Sequence, residues 1–323
     1  MKRSSTSAGL VIAVIAAAAF GASGAFAKPL LEAGWSPAAA VTARAMVGGL
    51  VLAPVALVAI RGRWSALWRA RWRVLAMAFI GVAGTQLAYF AAIQRIPVGT
   101  AILIEYMAPL LLVGFAWAYT RRMPRAVVLV GSVIALAGLV LVVSPRGGSA
   151  GLDALGLVFA LASMVGCAIY YLVAARPGDG LPAVALAAFG LLVGGLMLGL
   201  VGIVGLVPFT MTFHQVLLFG ALVPWWVPLL IVAVVATAIA YATSITATEM
   251  LGSRLASFVG LLEVVAATFY AWLLLGERLT LPQLAGGALI LVGIGFVRSE
   301  RAEAEVAIEP GAVGREAALP DAA

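Results

Sequence analysis

Ten apolar runs, parted by short bursts of charge and by Pro/Gly breaks, constrain this chain more than any other feature. They lie near residues 9–31, 37–60, 74–94, 97–119, 126–144, 152–174, 182–206, 226–247, 253–275 and 281–298. A bilayer core about 30 Å thick takes about 20 residues of helix at 1.5 Å each, so runs of this length read as spans. Composition closes the soluble alternative: 64% of the 323 residues are apolar and 10% charged, against about 45–50% and 25% in a soluble domain. The expected fold class is therefore all-α integral membrane, with ten transmembrane helices. Ser36-Pro37, Pro97, Pro124 and Pro282 fall where helix entries are expected, at N-cap or first-turn positions.

The charges exclude several functions and orient the spans. The net charge is +7, but the segment from Ser299 onward carries −4 and the rest +11. The arginines come in bursts between apolar runs rather than along one soluble face. They predict anionic lipid headgroups as partner, and no nucleic acid. With the amino terminus in the cytoplasm, 15 basic residues lie inside and three, Arg95, Arg146 and Arg278, outside. Among those inside are Arg121, Arg122, Arg125, Arg176, Arg254 and Arg315. The positive-inside rule then predicts a multi-pass protein of the bacterial inner membrane with both termini cytoplasmic. The loop at 61–73 interleaves five arginines with Trp64, Trp68 and Trp72, which suits the headgroup layer better than an RNA surface. Ala25-Phe26-Ala27 resembles a signal cleavage site, but the run before it exceeds the ~7–15 residues of a signal core, so an uncleaved first helix is expected.

One cysteine and one histidine leave no disulfide framework and no metal site. Neither lysine, Lys2 or Lys28, follows a glycine, so no Walker A loop is present and no nucleotide cofactor is expected. Gly21-Ala22-Ser23-Gly24 matches the Gly-x-Ser-Gly of intramembrane serine proteases. A serine nucleophile needs a base within ~2.6–3.2 Å, and His214 lies outside the spans. The chain is not expected to be an enzyme.

An internal repeat carries the organisation. A shift of 155 residues places Trp117 on Trp272, Gly131 on Gly286 and Gly138 on Gly293, and Gly9-Leu-Val echoes Gly156-Leu-Val. Five spans per repeat is an odd number, so the two halves must be inverted. The charges agree, since the five arginines of 61–73 have no counterpart in 207–225. Domains are expected at 1–150, 151–298 and, as a disordered cytoplasmic tail, 299–323. Inverted repeats place a midplane site between halves that alternate access. The four paired glycines are expected to let two helices approach closely.

These residues resemble the drug/metabolite transporter superfamily, EamA-type. The likeness rests on Leu262-Glu263-Val264, Gly276-Glu277-Arg278-Leu279-Thr280 and Gln283-Leu-Ala-Gly286, and covers roughly residues 10–298. Within it, Gly21…Ala27-Lys28, Tyr89-Phe-Ala-Ala-Ile-Gln94, Pro97-Val-Gly99 and Glu105-Tyr-Met-Ala-Pro109 are similar to the threonine/homoserine exporter branch. The resemblance implies ten helices and a secondary transporter, an exporter of small amino-acid-like metabolites with protons as coupling ion. The proline usual in the family after the glutamate is here Val264, so any kink at that level needs another cause. Efflux of lipophilic drugs, and a non-transporting membrane scaffold, are the competing readings.

Ions inside a span cost from ~2.5 kcal/mol upward each, so each needs a partner, a cavity or a proton. Four such residues stand out: Lys28 roughly 5 Å deep, Arg44 roughly 10 Å, Glu105 roughly 12 Å and Glu263 near the middle, at 1.5 Å per residue. Glu105 maps to Gly260 under the repeat shift, one turn from Glu263. Lys28 or Arg44 is expected to meet a substrate carboxylate, and Glu105 or Glu263 an amino group or the coupling proton. The competing expectation is an Arg44–Glu105 ion pair with Lys28 snorkelling to headgroups. Tyr89, Tyr106, Tyr170 and Tyr241 could line the same place with hydroxyls. Glu249 with Arg254, and Glu277 with Arg278, read as solvated loop charges, and His214 as a bystander.

Overall fold

The computed structural model describes residues 2–121, 123–143, 153–174, 180–244, 246–247, 250 and 259–308. Six helices are long and apolar enough to cross a membrane: α1 (Lys2–Glu32), α2 (Pro37–Ala59), α3 (Arg71–Ile93), α4 (Val98–Tyr119), α7 (Ala183–Ile203) and α8 (Trp226–Ser244). Shorter apolar stretches fall in α5 (Ala126–Val143), α6 (Ala154–Ala174), α9 (Leu262–Leu275) and α10 (Leu281–Ile308). Together they fill the ten expected positions. Their outward faces carry Val11, Val58, Phe115, Phe269 and Leu281 in the open, the apolar belt that lipid covers.

Helix ends follow local chemistry. Ser36 caps α2 by accepting the Ala39 N–H at 3.3 Å, with Pro37 in the first turn. Asp153 accepts the Gly156 N–H at 2.6 Å before α6, and Gln283 accepts the Thr280 N–H at 2.9 Å before α10. The helices α4 and α9 both stop on a left-handed residue, Arg121 (φ 56) and Gly276 (φ 66). These two positions differ by the same 155 residues as the repeat.

Packing has the symmetry of an inverted repeat. Helix α2 lies on α7 and α5 on α10; α1 packs on α8 and α9 just as α6 packs on α3 and α4. Exchanging each helix with its counterpart five along leaves this pattern unchanged. The glycines show the inversion directly. A Cβ on Gly138 would lie 2.5 Å from the Gly286 carbonyl oxygen, and one on Gly293 would strike the Gly131 carbonyl. The partners run in opposite directions along α5 and α10, and the repeat shift turns one contact into the other. Close backbone approach is thus what these four glycines provide.

The expected picture needs four amendments. Helix α4 is two pieces, Val98–Glu105 and Ala108–Thr120, because Pro109 cannot donate into the preceding turn. Helices α3 and α8 each hold a stretch of wide π-type turns, Met77–Gly84 and Ile231–Ile239, again one repeat apart. Thr85 and Thr237 donate their hydroxyls to carbonyls five residues back, at 2.7 and 2.9 Å, which fits the wider turn. The connection before α8 is not featureless: β1 (Val216–Leu218) pairs antiparallel with β2 (Ala221–Val223). Its two-residue turn, Phe219-Gly220, has both φ positive, as a tight hairpin requires. Finally, α10 continues to Ile308, ten residues into the expected tail, through Ala/Glu/Arg sequence of high helix propensity. Residues 309–323 lie outside those described, as do Arg122, Arg146, Arg176, Glu249, Arg254 and Arg315.

The described residues of the odd-numbered connections gather at one end. Trp35 donates to the Thr212 carbonyl at 2.6 Å and packs with Phe213 and Trp225. Arg95 lies 3.7 Å from Asp153, and Lys28 meets Glu277 at 2.5 Å. The amphipathic segment with the short helix Trp64–Arg69 belongs to the opposite end, with Trp64, Trp68 and Trp72 exposed.

Candidate functional site

Arg44 projects from α2 and is 5% exposed. Its Nη1 donates to Ser23 Oγ of α1 at 2.7 Å and to Gln86 Oε1 of α3 at 2.8 Å. Its Nη2 and Nε donate to Thr237 Oγ1 of α8 at 3.0 and 3.3 Å. The guanidinium also lies over the Phe90 ring, 5.4 Å from its centroid. Four helices from both repeats therefore converge on one cation. Four of its five N–H donors are used, and every acceptor is neutral. No carboxylate among the described residues lies within ion-pair distance of it.

The two acids flank this cluster at the helix breaks. Glu105 ends the first half of α4 and accepts from Ser163 Oγ of α6 at 2.7 Å. Glu263 sits in the first turn of α9, just past a turn at Leu261, and accepts from the Tyr106 hydroxyl at 2.5 Å. Leu261 is Tyr106 shifted by one repeat. Both fourth helices thus break at one level, the second without the proline that Val264 replaces. Arg44 lies within electrostatic reach of Glu105 and Glu263 without touching either. The expected Arg44–Glu105 ion pair is absent; Gln86 and Thr237 occupy the guanidinium while Ser163 holds the acid.

The other expected residues divide. Tyr89 is 4% exposed, and its hydroxyl is buried with no hydrogen-bond partner among the described residues. It abuts Gly24, where a Cβ would lie 2.5 Å from that hydroxyl. Tyr241 packs edge-on against Phe20 at 5.1 Å, and Tyr170 packs beside Gly81 in the π stretch of α3. These two sit on the side of the cluster away from Trp35, with Met77 and Leu67. Lys28 does not join the centre. It pairs with Glu277, whose other oxygen accepts the Val98 N–H at 2.9 Å. The reading of Glu277 as a solvated charge beside Arg278 is therefore wrong: Glu277 closes a contact between repeats.

Ser23, Gln86, Ser163 and Thr237 were not expected at the site. Their one signal was polarity inside an apolar run, which is weak because such residues also bond to their own helix backbone.

The sequence profile of the EamA-like transporter family matches residues 7–144 and again 154–299, one copy per repeat. Thirteen chains of solved structures match in fold. One, titled only as a crystal structure of a protein, aligns with a TM-score of 0.58 over 93% of this chain and 99% of its own, at 20% identity. That likeness bears on the fold alone. No curated protein matches this chain.

Proposed function

The chain belongs to the EamA-like transporter family of multi-pass membrane proteins, and from this premise we propose that it exports small amino-acid-like metabolites across the bacterial inner membrane by alternating access, with protons as coupling ion. The observation that carries this reading is Arg44, a buried cation held, among the described residues, by neutral ligands alone. Burying a guanidinium without a counter-charge costs several kcal/mol. A cargo carboxylate would supply that charge, and one N–H of the fork remains for it. Glu105 and Glu263, near enough to feel Arg44 yet not bonded to it, suit an amino group or a coupling proton. Tyr89, with its unpartnered hydroxyl, and Tyr106, Tyr170 and Tyr241 would complete the lining. The broken fourth helices agree with substrate sites of transporters, which lie where spans unwind. The similarity of 89–94 and 105–109 to threonine/homoserine exporters points the same way.

Cells overproducing the protein should resist toxic amino-acid analogues, and an Arg44→Gln variant should not confer that resistance. Resistance to lipophilic cations instead would turn the reading to drug efflux. We place both termini in the cytoplasm on the arginine distribution. Cysteines introduced at Ser65 and Thr280 should then label from opposite sides, Thr280 from outside; equal labelling would refute the orientation.

A further inference from the structure

The contact among Lys28, Glu277 and Val98 has no role in the cluster around Arg44. Lys28 lies in α1 of the first repeat, and Glu277 in the connection after α9 of the second, 249 residues away. One carboxylate holds both partners: Oε1 meets Lys28 at 2.5 Å and Oε2 accepts the Val98 N–H at 2.9 Å. The pair is neither buried nor free, at 17% and 13% exposure. An ion pair that is partly hydrated can break and re-form, because water meets its charges on release.

Its position gives the contact a consequence. Val98 opens the eight-residue half-helix that ends at Glu105, and Tyr106 next to it holds Glu263. Lys28 stands five residues from Ser23, about 7.5 Å along α1, and Ser23 binds Arg44. Between these levels Gly24 fits against both Tyr89 and Val98. The three-part contact therefore ties α1, α4 and the α9–α10 connection together directly above the Arg44 cluster, at the end where Trp35 and the hairpin lie.

We propose that Lys28, Glu277 and the Val98 N–H form the gate latch at this end of the transporter. Closed, they join the two repeats and bar the way to Arg44 from the Trp35 side. Opening requires the pair to part, which frees the first half of α4 to move with its acid. The proposal needs transport by the chain but not any particular cargo, so it survives if the amino-acid reading fails.

The test uses the full-length protein in proteoliposomes, with its one cysteine replaced (Cys167→Ala) and a reporter thiol placed by Ser23→Cys. A membrane-impermeant maleimide applied from the Trp35 side reads access to the Arg44 level. Lys28→Met and Glu277→Gln should each raise the labelling rate about tenfold. The exchanged pair, Lys28→Glu with Glu277→Lys, restores the attraction though not the Val98 bond, and should fall back to within about threefold of the parent. Unchanged rates in both single variants would overturn the proposal. So would equal acceleration in single and exchanged variants accompanied by equal loss of thermal stability, since that is the behaviour of a packing contact.

Discussion

Lys28 and Arg44 are cations in neighbouring spans of the first repeat, and the protein surrounds them in opposite ways. Lys28, at 17% exposure, meets a carboxylate of the other repeat. Arg44, at 5%, meets two hydroxyls, an amide oxygen and a phenyl face. A deeper charge has the greater need of a counter-ion, so fold stability alone would place the carboxylate at Arg44. Instead the acids nearby are turned to Ser163 and Tyr106. The difference teaches that a counter-charge is built in where two repeats are joined; at Arg44 the described residues supply none, which is the place the proposed function gives to a cargo carboxylate.

Breaking each member of the comparison should therefore give different losses. Arg44→Gln should remove about 2–5 kcal/mol of substrate affinity, the usual loss for one partner of a buried charge pair. It should leave thermal stability near the parent's, since the substitution removes a buried charge that is itself costly, an amide at the level of Nε can still meet Thr237, and no anion is stranded. Equilibrium binding and a melting curve on the same preparation check both halves of that statement. Glu277→Gln reverses the pattern: it strands Lys28 and weakens the Val98 bond. A stability loss of about 1–3 kcal/mol is expected, that of a hydrogen-bonded charge losing its partner, with substrate affinity little changed. Glu105→Gln should cost only about 1 kcal/mol in stability, because its hydrogen bond from the Ser163 hydroxyl passes from a charged to a neutral acceptor; Glu263→Gln is compared with it in transport. If either carries the coupling proton, that variant should exchange substrate across proteoliposomes yet fail to accumulate it under a pH gradient. Truncation after Arg301 should change nothing in transport, and a normally expressed truncation without activity would show a role for the tail.

Much of the frame is legible in the sequence. Apolar run length located the spans, because bilayer thickness fixes helix length. The 155-residue shift anticipated the glycine contacts between α5 and α10, because close backbone approach needs the same small residues in both copies. What escaped was set by three-dimensional neighbours. Nothing in the composition of 77–84 distinguishes a π stretch from ordinary helix. The hairpin around Phe219-Gly220 was hidden in a connection too apolar to show turn chemistry, although glycine marks its second turn position. In the sequence Glu277 stands beside Arg278, whereas its partner Lys28 is 249 residues away. For Arg44 the sequence left two roles open, and only the positions of Gln86 and Thr237 show that Glu105 is not its partner.

The central claim is that a cargo carboxylate completes Arg44, and it is most directly tested by a cycle of two ligands on two proteins. Dissociation constants of an α-amino acid substrate and of its decarboxylated amine are measured on the parent and on Arg44→Gln. The substitution should weaken the amino acid about 100-fold, near 2.8 kcal/mol at 1.4 kcal/mol per tenfold, and leave the amine unchanged. Equal weakening of both ligands, or of neither, would contradict the account.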